Sequence, residues 1–322
     1  MVDRKVVLIG GETLLGADVR DLLRERFPHA RVKLAGSQEE DTAILTEVGG
    51  EAVVLTGLDE EALASADLVI LAGSAEAARR ADRLLRQAGV EPPLIDLGLG
   101  LEDRPEARLR APFAEPPSGL APARLQVVAH PAAILTATVL RALEAVSPVA
   151  RSVVQLFAPA SEFGRPGVDE LQRQTMQLLS FQPLPQTIFG TQLSFNLIAG
   201  TLHETEQRVE RHVATLLSAG SPVVLPSIRM TQAGVMHGYS ASIWVEFQGK
   251  VEALGRALQD EGLDVWPDAS PNVVSVAGQN GIALGTVEPD RNNRRAFWIW
   301  AVADNYRLSA ENAMVLAEPV LS

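Results

Sequence analysis

A chain of 322 residues with 47% apolar and 21% charged side chains has the length for two domains and the makeup of an ordinary globular protein, which excludes a disordered or fibrous one. Its 28 Lys+Arg against 40 Asp+Glu leave a net charge of −12, which argues against nucleic acid or an anionic membrane surface as a partner. The absence of Cys removes disulfides, thiolate metal sites and redox pairs, and no metal site is expected.

Met1-Val2-Asp3-Arg4 leads straight into an apolar strand at 5–9, so no signal peptide is read. No apolar run reaches the roughly 18 residues that a membrane span needs, and the expected compartment is the cytoplasm. Gly10-Gly11-Glu12-Thr13-Leu14-Leu15-Gly16 turns that strand into a helix with Leu22, Leu23 and Phe27 at helical spacing. Strand, glycine turn and helix open a dinucleotide-binding unit, in which the first glycine makes the bend, the second lets the backbone approach the pyrophosphate and the last lets helix pack on strand. Gly10 and Gly16 fit the first and last roles, while Thr13 narrows the approach and Glu12 adds negative charge beside it. Retained cofactor binding and a turn that now only packs are both open readings of this stretch.

A second strand is read at 31–35, followed by Gly36-Ser37-Gln38-Glu39-Glu40-Asp41, whose three consecutive acids disfavour a phosphate. Strands at 52–56 and 68–72, a helix at 75–87 after Gly73-Ser74, and a strand at 93–96 continue the alternation that marks a parallel sheet. The Pro- and Ala-rich stretch 110–122 reads as an irregular connection to a strand at 125–129. A turn at His130-Pro131 then opens a helix over 132–145 whose first turn holds only small and apolar side chains.

From there the pattern shifts to long β-type runs, read as a second domain. Strands are expected at 151–157, 223–229, 240–247, 273–276 and 282–288, with an amphipathic helix at 204–218 carrying Val209, Val213, Leu216 and Leu217 on its apolar side and a helix at 248–261. The run Arg294-Arg295-Ala296-Phe297-Trp298-Ile299-Trp300-Ala301-Val302-Ala303-Asp304-Asn305 is a strand with Trp298 and Trp300 on one face, packed in a core or a dimer interface, and a helix follows at 308–320.

These stretches resemble the aspartate-semialdehyde dehydrogenase family over almost the whole chain. The family's strand-to-helix turn reads Asn-Pro-Asn-Cys-Ser-Thr and carries the catalytic thiol at the position of Ala133. A helix N-terminus lowers the pKa of a thiol, and alanine offers none. The segment Ala158-Pro159-Ala160-Ser161-Glu162-Phe163-Gly164-Arg165-Pro166-Gly167-Val168-Asp169-Glu170-Leu171 matches the family's Gln-Ala-Val-Ser-Gly-Ala-Gly-x-x-Gly-Met-x-Glu-Leu, with Ala158 in place of the glutamine that orients the acyl intermediate. The family's phosphate-site arginine is Glu102 by position, within Leu97-Gly98-Leu99-Gly100-Leu101-Glu102-Asp103. The serine and arginine that hold the NADP 2′-phosphate are replaced by Gly36 and Gln38.

With one residue inserted, Arg229 and His237 match the family's carboxylate-binding arginine and acid/base histidine; the other readings are an arginine paired with an acid of its own chain and a loop or strand-edge histidine making hydrogen bonds. Glu204 corresponds to a glutamate early in the amphipathic helix or is a surface residue, Gln207 stands near a lysine position, and Leu308 replaces another lysine. Val-Ala-Asp-Asn is retained through Asn305, which in relatives lies near the nicotinamide.

The resemblance implies an α/β protein: a Rossmann-type dinucleotide-binding domain over 1–130, with a C-terminal helix at about 306–322 returning to it, and an α+β domain with a mixed sheet over 131–305 that makes the homodimer. Expected site positions are Ala133, Ala158, His237 and Arg229 for the former chemistry, and Gly10, Thr13, Gly16, Gly73 and Asn305 for NADP or NAD. The cysteine-lacking, Usg-type paralogues are the members it most resembles. Three functions follow: a non-catalytic homologue that binds a small molecule or a protein; a reductase of an aldehyde or oxo substrate with His237 as acid and Arg229 as carboxylate clamp; and residual semialdehyde dehydrogenase activity through Thr136, an alcohol without an adjacent base.

Overall fold

The computed structural model describes residues 4–36, 44–48, 51–55, 63–116, 123–220 and 223–322, with the strands 44–48 and 51–55 described by backbone pairing alone. The loop at 37–41, position 56 and residues 117–122 lie outside them. Two compact units are present: Met1–Pro112 with Pro116–Ala129 and Ser309–Ser322, and His130–Leu308 with Phe113–Glu115.

In the first unit, β1 (Lys5–Ile9), β2 (Arg31–Ala35), β5 (Leu68–Leu71), β6 (Leu94–Asp96), β7 (Arg108–Arg110) and β8 (Leu125–Val128) form one parallel sheet in the order β2-β1-β5-β6-β8-β7. Val6 to Ile9 and Leu68 to Leu71 are buried throughout, as expected of central parallel strands covered on both faces. Helix α1 (Leu14–Arg26) is capped by Thr13, and its apolar stripe of Val19, Leu22 and Leu23 is buried. Helix α2 (Ala75–Ala88) starts where the Ser74 hydroxyl accepts from Ala77 N and stops at Gly89, whose positive φ of 68° suits glycine.

The strands β3 (Ile44–Val48) and β4 (Glu51–Leu55) pair antiparallel in a sheet of their own. The run read at 52–56 therefore does not join the parallel sheet; Gly49-Gly50 between two β-type runs is a hairpin signal in the sequence. The stretch read as irregular begins at Arg110, the last residue of β7, whose three residues alternate too briefly to announce a strand.

The second unit is a mixed sheet in the order β10-β11-β9-β12-β16-β14-β13, with β15 (Glu288–Pro289) added on β16. Its long members are β9 (Val149–Ala158), β11 (Ser227–Ala233), β12 (Tyr239–Phe247) and β16 (Ala296–Ala303), flanked by β10 (Leu197–Ala199), β13 (Asp264–Val265) and β14 (Ala283–Leu284). β9 and β11 run parallel, whereas β12 is antiparallel to both β9 and β16.

One face of this sheet is covered by α3 (Pro131–Val146), which packs on β9, β12 and β16 and against α5 (His203–Ser218). α3 is apolar nearly all round, with Ala132 to Ala137 wholly buried, as befits a helix inside a core. The opposite face carries Val153 at 47% and Trp298 at 46% exposure.

Four expectations for this unit shift, the first being that of the β-run at 282–288 only Ala283–Leu284 (β14) and Glu288, the first residue of β15, pair in the sheet. The β-run at 223–229 begins only at Ser227, because Pro226 donates no N–H to a ladder, and it continues to Ala233. The helix at 248–261 shortens to α6 (Leu254–Asp260), since Phe247 N and Gln248 N still bond Arg295 O and Pro148 O. The stretch 273–276 is a turn, in which the Asn272 side chain accepts from Val274 N and Ser275 N and competes with extended pairing.

The motif at 158–171 also holds a helix, α4 (Gly164–Leu179), opened by Gly-Arg-Pro-Gly with Pro166 in its first turn, where a missing N–H costs nothing. The final helix α7 (Asn305–Leu321) starts in the second unit and is counted with the first from Ser309 on.

Candidate functional site

In the first unit, the expected cofactor glycines sit where the chain packs on itself. A Cβ at Gly10 would lie 2.4 Å from Gly73 Cα, and one at Gly16 would lie 2.0 Å from Gly10 O, so these positions need glycine with or without a ligand. Thr13 Oγ1 lies 2.9 Å from both Gly10 O and Ala72 O, and it accepts from Gly16 N at 2.9 Å. The hydroxyl thus ties the turn to the end of β5 and occupies a first-turn N–H of the kind that takes a pyrophosphate oxygen.

After β6, Asp96 accepts from Gly98 N and Leu101 N, each at 2.8 Å, and fills the concavity of N–H groups in that loop with a carboxylate from its own chain. Burial pushes Asp96 up to about 6 against the pull of these bonds and of Gly100, and the negative Glu102 adds to the rise. The loop that carries a phosphate arginine in the family is thus anionic here. Two acidic residues, Glu12 and Glu102, belong to these two turns.

In the second unit, the N-terminus of α3 is built around His130. Its Nδ1 accepts from Ala132 N at 3.2 Å, its main-chain N–H donates to His212 Nδ1 at 3.0 Å, and Ala133 N donates to its carbonyl at 2.8 Å. With Nδ1 accepting, the neutral ring carries its proton on Nε2, 3.1 Å from Glu162 Oε1. Tyr239 OH donates to the other oxygen of Glu162 at 2.5 Å, and the His130 and Tyr239 rings meet edge to face at 5.8 Å.

Burial opposes ionisation of Glu162, but the His130 ring and the hydrogen bonds from His130, Tyr239 and Thr205 more than offset it and hold the carboxyl below its ordinary value. Tyr239 is pushed well up, by burial first and then by the Glu162 charge beside it. The Nε2 proton of His130 and the hydroxyl proton of Tyr239 are thus both directed at Glu162.

Ala133 and Ala158 are both fully buried, at 0% exposure. Thr136 is fully buried too and donates to Ala132 O at 2.7 Å, so it has a backbone carbonyl rather than a base beside it. Gln232 lies opposite Ala158 in the β11–β9 ladder and donates from Nε2 to Ala158 O at 3.0 Å.

Arg229 stands out from the sheet, with its side chain 78% exposed, and pairs with Glu206 at 2.9 Å; the other Glu206 oxygen accepts from Met230 N at 2.7 Å. The acid early in α5 that serves the arginine is therefore Glu206, while Glu204 and Gln207 are exposed. His237 is half-buried against Tyr306, with ring centroids 5.6 Å apart, and its Nδ1 is buried without a partner. Burial lowers its pKa, and Asp304 pulls the other way.

Asn305 is buried and accepts from Gly238 N at 2.8 Å, with Ser161 Oγ at 3.4 Å, while Tyr306 OH donates to Ser161 O. It fastens the turn before β12 to the one after β9. Sequence reasoning passed over His130, Glu162, Tyr239 and Glu206. The available signal was Glu162, which stands where the matched motif has a glycine.

Among the described residues no group of His, Cys, Asp and Glu could hold a metal ion, and no helix is long and apolar enough to cross a membrane.

A parallel sheet followed by a mixed sheet with helices on one face is the two-domain fold of the semialdehyde dehydrogenase family. Residues 140–308 match the family model for the semialdehyde dehydrogenase dimerisation domain. The chain is 30% identical to a USG-1 protein homolog from Pseudomonas aeruginosa, over 97% of its own length and 96% of the relative's. It is 25% identical to the aspartate-semialdehyde dehydrogenase of Prochlorococcus marinus, over 99% and 97%. Among solved structures, a probable aspartate-semialdehyde dehydrogenase from Pseudomonas aeruginosa superposes with a TM-score of 0.87 at 27% identity, covering 100% of this chain and 99% of that one. The chain belongs to the aspartate-semialdehyde dehydrogenase family, and USG-1 homologs are among its relatives.

Proposed function

We propose that this protein is a non-catalytic, homodimeric member of the family that acts in the cytoplasm by binding a metabolite or a protein partner. The observation that carries the reading is Ala133: the nucleophile position is a fully buried alanine in a chain without a single Cys. Covalent acyl transfer needs a thiolate at that helix N-terminus, and neither Thr136 nor any other described side chain supplies a nucleophile there. Ala158, Arg229 and the His130–Glu162–Tyr239 network support it, because the glutamine is absent, the arginine is paired with Glu206 and the carboxyl of Glu162 is bonded to His130 and Tyr239. The purified protein with NADP, phosphate and aspartate semialdehyde is expected to give no turnover above a no-enzyme control. Turnover above that control would overturn the reading.

His237 favours a second reading, because its Nδ1 is uncommitted where Glu162 and Arg229 are bonded within the chain. On this reading the turn of Gly10, Thr13, Gly16 and Gly73 would hold NADPH or NADH, whose reduced nicotinamide would supply the hydride to an aldehyde or oxo group. His237 would hold the proton that the oxygen takes up, and no covalent intermediate forms. Calorimetric or tryptophan-fluorescence titration with each cofactor tests it, and no binding of either at millimolar concentration rejects it.

A further inference from the structure

The side chain at residue 162 distinguishes this site from one that has merely lost its thiol. In the segment matched to the family's Gln-Ala-Val-Ser-Gly-Ala-Gly, a glycine is replaced by glutamate, so a carboxylate stands where the motif has no side chain. Its oxygens are taken by His130 Nε2 at 3.1 Å and Tyr239 OH at 2.5 Å, and its side chain is 14% exposed. His130 is the N-cap of α3 and is 4% exposed, Tyr239 is 1% exposed, and Ala132 and Ala133 are at 0%. The carboxylate is therefore one imidazole away from the first turn of α3.

We propose that Glu162, clamped by His130 and Tyr239, is a built-in plug that closes the N-terminus of α3 and keeps residue 133 out of reach of solute molecules. Three residues from three elements make it: the N-cap of α3, the turn after β9 and the first residue of β12. A glycine at 162 would leave His130 Nε2 and Tyr239 OH without their shared acceptor and would free the volume of a carboxyethyl side chain beside the N-cap of the helix. The inference rests on the non-catalytic reading, since it explains why restoring the thiol alone would not restore an accessible one.

The lack of Cys makes a clean test, because a thiol introduced by Ala133→Cys is the sole thiol in the chain. Its second-order rate with N-ethylmaleimide is measured in the full-length protein carrying A133C alone, A133C with Glu162→Gly, and A133C with Glu162→Ser. The serine variant covers the case in which the glycine variant does not fold, and circular dichroism of each variant establishes that it is folded. The thiol is expected to react at least about tenfold faster when Glu162 is shortened than in A133C alone, which itself reacts far more slowly than in denaturant. Equal rates with and without Glu162, or full reactivity in A133C alone, would overturn the plug. Turnover by the parent protein would sink the non-catalytic reading without altering this ratio, and equal rates would sink the plug without producing turnover.

Discussion

Two buried carboxylates in this fold answer pH with opposite sign. Asp96 has a raised pKa of about 6 against an ordinary 3.8, because burial outweighs the N–H groups of Leu101, Gly98 and Gly100. The folded state therefore binds a proton that the unfolded chain has released, and the stabilisation is complete below about pH 3.8 and lost as pH rises through about 6. The shift of about two units corresponds to about 3 kcal/mol across that window. Urea unfolding of the parent and of Asp96→Asn at several pH values is expected to show the parent's advantage shrinking by up to about this amount from pH 4 to 7. A flat difference would mean that Asp96 titrates normally. Glu162 runs the other way: its depressed pKa gives stability that is full above about 4.5 and lost on acidification. The first charge sits in a site where the fold tolerates it poorly; the second is part of what holds α3 in place.

At the scale of elements, α4 shows how much one helix can organise. Glu170 is fully buried, and its two oxygens accept from Thr187 N, Ile188 N and Phe189 N. One turn later Gln174 donates to Pro185 O and Thr191 O and accepts from Leu193 N and Ser194 N. A segment without regular structure thus has its backbone groups met by two side chains four residues apart. Glu170→Ala leaves the N–H groups of Thr187, Ile188 and Phe189 without their acceptor, the last of them buried, and is expected to cost about 1–3 kcal/mol in chemical denaturation, with loss of exchange protection at those amides. Glu170→Gln keeps one acceptor and should fall between; a neutral Glu170→Ala would show that the segment is held by its apolar contacts alone.

The legibility of the sequence follows the same physics. Strands such as 5–9 and 68–71 could be read because central parallel strands are continuous apolar runs. α4 was hidden because Gly-Arg-Pro-Gly is turn-like until its first turn is known to need no N–H. The turn at 272–275 was misread because Asn272 outbids a ladder that β propensity alone would favour. At the site the degenerate positions 133 and 158 were visible as substitutions. The His130–Glu162–Tyr239 network joins residues as far as 109 positions apart, and no spacing rule announces it.

The whole molecule turns on the uncovered face of the mixed sheet. On that face Val153 and Trp298 are nearly half exposed, and Glu246 at 3% side-chain exposure is gripped by Arg151 and Arg295. Trp244 and Trp298 both donate to Asp290, which fixes two indole rings in place. Rigid aromatics with neighbouring arginines are what protein interfaces use as anchors. A family model for a dimerisation domain covers these strands, and the proposed occupant of the face is a second copy of the chain. Each copy carries a charge of −12, so self-association works against like charge and should tighten, not loosen, with added salt. Light scattering is expected to give twice the 34.5 kDa of the chain. Trp298→Glu, which puts another negative charge at the centre of the face, should weaken the dimer by about a hundredfold or more and yield monomer at micromolar concentration. A parent protein that is monomeric at that concentration would leave this sheet face open for a different partner, and a Trp298→Glu variant that stays fully dimeric would place the second copy elsewhere.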